Sequence, residues 1–238
     1  MNYLTLKSMP REENAFDVYW SVWGEGAKLL KVQINDPLVE IAAQEIAELE
    51  VIRYLLQDVE VFGKEFSGRG LSVQTSNSRL IDAIGIHFGR YEGRYMTFLP
   101  IRYFNSVIEH DEAADNLDQE ELLGTGELVV NQPRHVTIET ELLGTVAITM
   151  NAVIRYISNL TDGKEMKDPF RSLKHHLQKS DLEVVDVESN TKLSSIAAFI
   201  ESRTDIDLVA TSPFSARHFL FSEPDRNGVR HLITVFVK

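Results

Sequence analysis

Glu48 is the residue whose position in this sequence most directly suggests chemistry. It lies within residues 36–58, where an aspartate–proline pair is typical of a helix start and apolar residues then recur at helical spacing. Glu48 shares one line of that helix with Ile41 and Ile52, on a face that we expect to be buried. A buried carboxylate is costly unless it is paired or binds a metal ion. The alternative is a glutamate at the edge of the apolar stripe, with its carboxylate in water.

Two histidine–arginine pairs form a second candidate site near the C-terminus. His218 follows Arg217 and His231 follows Arg230, on the two strands of a predicted hairpin. Opposite residues of such strands lie about 4.5–5.5 Å apart, so we expect that the two pairs can meet on one face. A histidine can act as acid and base while an arginine stabilises a phosphorane-like charge, which is the chemistry of metal-independent ribonucleases. The alternative is that these residues face solvent at the ends of the hairpin.

The first half of the chain supplies a regular order of elements around Glu48. Three strands rich in β-branched and aromatic residues precede the Glu48 helix, and a strand, a second helix and a further strand follow it. The order β-β-β-α-β-α-β predicts an α/β fold, α+β overall. The predicted ranges are residues 2–8, 15–23 and 27–34 for the first three strands, 71–75 and 95–104 for the later strands, and 79–89 for the second helix.

This order resembles the ribonuclease H-like fold, and two local motifs support the resemblance. Residues 47–49 (AEL) match the family's pattern on the first helix, whose glutamate is a metal-binding catalytic residue. Residues 75–81 (TSNSRLI) resemble its strand-end motif of an aspartate followed by a serine and a helix, with Asn77 where the catalytic aspartate is expected. The resemblance covers roughly residues 1–105. It implies a mixed sheet with helices in which Glu48 would bind Mg²⁺ or Mn²⁺ if the site is active.

Two positions depart from the family's pattern. Two-metal hydrolysis needs several carboxylates that hold two divalent ions roughly 3.5–4 Å apart. The first strand offers Lys7 and Ser8 where the resemblance implies an aspartate, and the neutral Asn77 binds a hard cation poorly. Asp82, further along the second helix, could replace Asn77, although an exposed helix position explains this aspartate equally well. We therefore expect a ribonuclease H-like scaffold whose two-metal chemistry is lost or altered.

An acidic segment separates the two halves of the chain. Residues 109–121 (EHDEAADNLDQEE) are predicted to form a solvated linker or an exposed helix, and they lack the mid-loop glycine of an EF-hand calcium loop. We therefore place a ribonuclease H-like domain at residues 1–108 and an acidic connector at residues 109–126. A smaller α+β domain that ends in the β-hairpin follows at residues 127–238.

The composition limits the classes of protein. The 238 residues contain no cysteine, which excludes disulfides, thiolate zinc sites and cysteine nucleophiles. No apolar run approaches the roughly 18 residues that span a membrane, and the N-terminus lacks the apolar core of a signal peptide. We therefore expect a cytoplasmic protein with no membrane partner. The net charge of −12 argues against broad, sequence-blind binding to a phosphate backbone but permits local basic patches.

The sequence leaves three functions open. The first is a protein that binds nucleic acid within a nucleic-acid-processing complex, with little or no two-metal catalysis. Its contacts would come from four arginines: Arg69, Arg79, Arg90 and Arg94. The second is an active nuclease, either metal-dependent through Glu48 or metal-independent through His218 and His231. The third is an acidic adaptor or inhibitor that binds a basic protein through residues 109–121, and a homo-oligomer is compatible with each of these functions.

Overall fold

A six-stranded sheet organises each of the two units into which the chain divides, Met1–Arg134 and His135–Lys238. The computed structural model describes residues 1–35, 43–63, 66, 68–86, 97–132, 134–159, 168–187, 193–213 and 215–237. Both sheets combine parallel and antiparallel pairs and both units carry helices, so the coarse prediction of an α/β protein is confirmed. None of the described helices is both long and apolar enough to cross a membrane.

The sheet of the first unit starts as an antiparallel meander and is extended by parallel strands at both edges. Its strands are β1 (Asn2–Glu12), β2 (Ala15–Val22), β3 (Ala27–Ile34), β4 (Leu71–Thr75), β5 (Val107–His110) and β6 (Leu122–Val130). The strand order is β5-β4-β1-β2-β3-β6, with β4 parallel to β1, β5 parallel to β4 and β6 parallel to β3. The predicted three-stranded meander is confirmed, because β2 pairs antiparallel with both of its neighbours.

The first helix of this unit is buried on nearly every side. The helices are α1 (Ala43–Arg53), which continues as one π-helical turn (Tyr54–Asp58), then α2 (Ser78–Ile86), α3 (Phe98–Arg102) and α4 (Glu112–Asp115), followed by a 3₁₀ turn (Leu117–Gln119). All residues of α1 except Gln44 are buried, including Glu45, Glu48, Glu50 and Arg53. Four charged side chains within one buried helix all require partners.

Two predicted elements of the first half differ from the structure. Residues 95–104 were predicted to form a strand, whereas α3 occupies Phe98–Arg102. Pro100 fits the first turn of this helix because backbone N–H groups there have no intrahelical acceptor. The acidic residues 109–126 belong to the first unit rather than to a separate connector. Lys7 Nζ lies 2.6 Å from Asp118 Oδ1, and β5 pairs with β4, so the sheet itself holds this segment.

The second unit is a sheet with helices on both faces. Its strands are β7 (Thr137–Thr140), β8 (Gly144–Ile148), β9 (Glu183–Val184), β10 (Leu208–Thr211), β11 (Arg217–Phe221) and β12 (Arg230–Val237), and its helices are α5 (Met150–Ser158), α6 (Pro169–Leu177) and α7 (Ser194–Glu201). The strand order is β7-β8-β12-β11-β10-β9, and only the β8–β12 pair is parallel. The predicted C-terminal hairpin is confirmed as β11 and β12.

Alternation along β11 determines which helices its side chains meet. Leu220 packs in a core cluster with Ile196 of α7. The ring of Phe219 instead lies 6.4 Å from the ring of His176 of α6. Because successive side chains of a strand point to opposite faces, Arg217 shares the α6 face with Phe219 and His218 shares the α7 face with Leu220.

Candidate functional site

Glu48 is the centre of a polar cluster where α1 packs against β1 and the C-terminal end of β4. Its side chain has no exposed surface, so the predicted burial is confirmed. Glu48 Oε1 accepts a hydrogen bond from Ser8 N of β1 at 3.1 Å, and Oε2 accepts one from Thr75 Oγ1 of β4 at 2.9 Å. Each carboxylate oxygen is therefore bonded to a protein donor on a different strand.

The cluster extends from Glu48 to the start of α2. Thr75 Oγ1 also accepts a hydrogen bond from Asn77 N at 2.9 Å. On the other side, Gln44 Nε2 donates to Ser8 Oγ at 2.9 Å and to Ser8 O at 3.2 Å. We name Glu48, Ser8, Thr75, Gln44 and Asn77 the Glu48 cluster. It connects two strands and two helices that are far apart in the sequence.

The environment of Glu48 makes its carboxyl group hard to ionise. Burial, with a smaller contribution from the nearby charge of Glu45, raises the pKa of Glu48 to about 7. Hydrogen bonds from Ser8 and Thr75 act in the opposite direction because they stabilise the carboxylate. A pKa in this range suits a general acid or base, but such a group must also reach a substrate. The fully buried side chain of Glu48 does not.

The residues around Glu48 do not fit the two-metal site that the resemblance implies. Ser8 and Thr75 contribute a backbone N–H and a hydroxyl group at positions where two divalent ions would need carboxylates. Both oxygens of Glu48 already accept hydrogen bonds from these groups. Across the described parts of the chain, no three histidine, aspartate or glutamate side chains form a potential metal site. The geometry therefore supports a structural role for this carboxyl group.

The other predicted catalytic residues of the first unit are Asn77 and Asp82. Neither of them places a side-chain oxygen next to the Glu48 carboxylate as a further metal ligand. Asn77 precedes α2, and its Oδ1 accepts a hydrogen bond from Leu80 N at 3.2 Å. This is the contact of a helix N-cap, which explains an asparagine at this position without catalysis. Asp82 is exposed on α2. The substitution of Asp82 for the missing aspartate therefore has no geometric support.

The structure describes two of the four arginines that were predicted to contact nucleic acid. The side chain of Arg79 is 74% exposed, and its Nε lies 3.4 Å from Glu45 Oε1. Arg69 is exposed in the turn that precedes β4, whereas Arg79 follows β4, so the two arginines lie at opposite ends of this strand. Arg90 and Arg94 lie outside the described residues.

The predicted histidine site does not assemble as expected. His218 pairs with Phe236, whereas His231 lies five residues earlier in β12, which is roughly 17 Å at the usual rise per residue. Both histidines stand at the start of their strands, and the starts of two antiparallel strands lie at opposite ends of the pair. The expectation that the two pairs meet on one face is therefore wrong. His231 instead contacts His135, with ring centroids 5.1 Å apart.

Sequence reasoning missed a second cluster, which surrounds Tyr156 of α5. The guanidinium of Arg217 lies 5.4 Å from the centroid of the Tyr156 ring, and the His176 ring lies 6.1 Å from the same centroid. Tyr156 Oη lies 2.6 Å from Ser172 Oγ in a hydrogen bond. The i, i+4 spacing of Ser172 and His176 indicates that they share one face of α6. Only the sheet order shows that this face meets Arg217.

Comparisons with known proteins identified no match. No family model, no curated protein and no solved structure matches the chain. The function is therefore inferred from the geometry of the chain itself.

Proposed function

We propose that the first unit is a ribonuclease H-like scaffold that binds nucleic acid and has lost two-metal catalysis. The order of elements supports this scaffold, since three antiparallel strands, a helix, a strand, a helical segment and a further strand follow one another along the chain. The parallel strands β4 and β5 extend the meander at the β1 edge. Thr75 and Asn77 lie at the end of β4, the position on which the resemblance to the family's strand-end motif rests.

The pair of hydrogen bonds to Glu48 is the observation that supports the loss of catalysis. A two-metal site would leave the carboxylate oxygens directed at divalent ions. Here Ser8 and Thr75 occupy both oxygens at hydrogen-bond distance, and the side chain is inaccessible to substrate. The carboxyl group holds α1 to two strands, which is a role in stability rather than in phosphodiester hydrolysis.

The exposed guanidinium of Arg79 supports binding of nucleic acid next to this cluster. Arginine offers several donors that match phosphate oxygens, and an exposed guanidinium can bind one without a large desolvation cost. Glu45, which is buried, lies 3.4 Å from Arg79 Nε and restrains the side chain on its inner side. The remaining donors of Arg79 face solvent beside the start of α2.

The alternatives have less support in the geometry. An adaptor function would need the acidic segment to be free, but several of its carboxylates bond within the first unit. Glu109 accepts from Ser72 Oγ at 2.7 Å, and Asp118 accepts from Lys7 Nζ at 2.6 Å. A metal-independent nuclease would need His218 and His231 near one phosphate, and the hairpin register separates them.

A binding experiment tests the proposed function. Fluorescence anisotropy would measure the affinity of the full chain for single-stranded RNA, an RNA–DNA hybrid, and single- and double-stranded DNA at several salt concentrations. We expect binding to at least one of these, weakening as salt rises because counterions are released. Arg79→Ala should weaken it several-fold and reduce the slope against salt by about one phosphate contact.

Arg155→Ala is the matched control, because Arg155 is an exposed arginine on a helix of the second unit. This variant should bind nucleic acid like the unmodified chain. The proposal fails if none of the four nucleic acids binds, or if both arginine variants bind equally well.

A further inference from the structure

Arg217 is a cation without a counterion in the described second unit. It begins β11, and its guanidinium lies over the ring of Tyr156 at 5.4 Å, a cation–π contact. Its Nε is buried and has no hydrogen-bond partner among the described residues. No carboxylate of those residues lies within ion-pair distance of Arg217, whereas Arg203 and Arg230 pair with aspartates at 2.6 Å.

His176 presents a second unfilled polar atom beside the same tyrosine. The centroid of its ring lies 6.1 Å from that of Tyr156 and 6.4 Å from that of Phe219. Within the described residues, His176 Nδ1 is buried with no hydrogen-bond partner. Burial, together with the positive charges of Arg217 and Lys179, lowers the pKa of His176 to about 4. The surroundings of this imidazole are therefore cationic in a chain whose net charge is −12.

We propose that Arg217 and His176, which both contact Tyr156, bind an anion of the phosphate class. A buried N–H group without an acceptor is costly, and a charged one more so. An acceptor-only oxyanion matches the Arg217 Nε–H, and it matches His176 in the tautomer that carries its proton on Nδ1. Arginine is the side chain best suited to phosphate because its planar fork donates several hydrogen bonds at once. This inference concerns the second unit and does not rest on the function proposed for the first.

Asp181 is an acidic residue of the same unit with one engaged oxygen and one buried oxygen, Oδ1, that has no hydrogen-bond partner among the described residues. Asp181, which follows α6, accepts a hydrogen bond through Oδ2 from Ser212 Oγ at 2.7 Å. Asp181 and Arg217 form no ion pair within the described residues. Among the described residues nothing neutralises Arg217, so we assign that role to a bound anion, and Asp181 is the internal competitor that an experiment must separate from it.

The arginine Nε–H resonance of the full chain gives a direct test. ¹H–¹⁵N correlation spectra would be recorded during titration with inorganic phosphate, against sodium chloride at equal ionic strength. Arg217→Lys assigns the resonance, since lysine keeps the charge but lacks this N–H group. We expect the Arg217 resonance to shift saturably with phosphate and not with chloride. The pKa of His176 should rise by about one unit or more once an anion lies beside it.

A second titration separates two sources of phosphate. A dinucleotide whose only phosphate is the internal diester would replace inorganic phosphate. Saturable shifts with this ligand alone would assign the site to a nucleic-acid backbone, and shifts with inorganic phosphate alone would assign it to a free phosphate or phosphate monoester. Either result supports the anion site.

Three outcomes would overturn the proposal. The first is no response of the Arg217 resonance to either phosphate compound, and the second is an equal response to chloride. In the third outcome, Asp181→Asn shifts the Arg217 resonance in the absence of phosphate, which would identify Asp181 as its partner. His176→Gln should weaken phosphate binding, whereas Arg155→Gln, on an exposed face of α5, should leave it unchanged.

Discussion

The Glu48 carboxylate of the first unit and the Arg217–His176 pair of the second differ in how far their polar atoms are satisfied. Glu48 has both carboxylate oxygens bonded to strand donors. Arg217 Nε and His176 Nδ1 are equally hidden from solvent but have no partner among the described residues. A buried polar group that is fully bonded stabilises a fold, whereas one that is not is a candidate for a ligand. The comparison assigns a structural role to the Glu48 carboxylate, although Asn77 Nδ2 beside it has no partner among the described residues, and it assigns binding to the Arg217–His176 pair.

The largest effect on stability should come from removing the Glu48 side chain. Glu48→Ala removes the acceptor of Ser8 N and leaves a cavity within the core, so we expect a loss of about 2–4 kcal/mol in the free energy of unfolding. Glu48→Gln keeps the volume and can still accept from Ser8 N and bond to Thr75 Oγ1. It should therefore be close to the unmodified chain at neutral pH. Chemical denaturation measures both, and equal stability of the alanine and glutamine variants would contradict a structural role.

The pH dependence of stability should carry the signature of a carboxyl group with a raised pKa. Between pH 4.5 and about 7, the folded chain keeps the Glu48 proton that the unfolded chain has lost. The free energy of unfolding should therefore fall as pH rises through this window, by about 3 kcal/mol at most. Glu48→Gln removes this contribution. Denaturation of the unmodified chain and of Glu48→Gln is measured across this pH range, and the difference between the two curves isolates the contribution of Glu48 from that of other groups. Curves that run parallel would refute the raised pKa.

A smaller effect is expected at the start of α2. Asn77→Ala removes the cap of Leu80 N, and the loss of such a cap costs about 1 kcal/mol. Asp82→Ala on the same helix is the control, and it should change stability by less than about 0.5 kcal/mol because Asp82 is exposed. Thermal unfolding of the two variants measures the contrast. An equal or larger loss at Asp82 would contradict the cap assignment and show that Asp82 has a stabilising partner.

The smallest effect is expected on the pKa of His176 in the second unit. Arg217→Gln removes a positive charge that opposes protonation of His176, so the pKa of His176 should rise from about 4 towards its ordinary value. NMR titration of the His176 ring protons measures it. His175→Gln provides a comparison on the exposed side of α6. An unchanged pKa of His176 in Arg217→Gln would contradict the charge interaction between these two side chains.

Local sequence signals predicted elements better than they predicted sites. Periodicity located the meander and the helix that contains Glu48, whose predicted cap at Asp36 and Pro37 lies outside the described residues. The predicted cap at Asp168 located the start of α6, where Asp168 Oδ1 accepts from Arg171 N at 2.9 Å. They also predicted that Glu48 would be buried. The strand expected at residues 95–104 failed because its apolar and aromatic residues suit a short buried helix equally well, and Pro100 is tolerated in the first turn.

The contacts of the sites depend on pairing that no local pattern contains. Ser8 and Thr75 meet Glu48 only because β4 lies beside β1 and α1 packs over both strands. Likewise, Arg217 and His218 are adjacent in sequence, but alternation along β11 directs them to different helices. The expected histidine site failed for the same reason, since the starts of antiparallel strands lie apart.

Cleavage by the full chain tests the central claim most directly. The substrates are single-stranded RNA, an RNA–DNA hybrid, and single- and double-stranded DNA, each with Mn²⁺ or with EDTA, and Glu48→Gln is assayed alongside the unmodified chain. We predict no cleavage of any substrate in either condition, because Ser8 and Thr75 occupy the oxygens of Glu48. Mn²⁺-dependent cleavage that is abolished by Glu48→Gln would contradict the account and show that the cluster opens to form a working metal site.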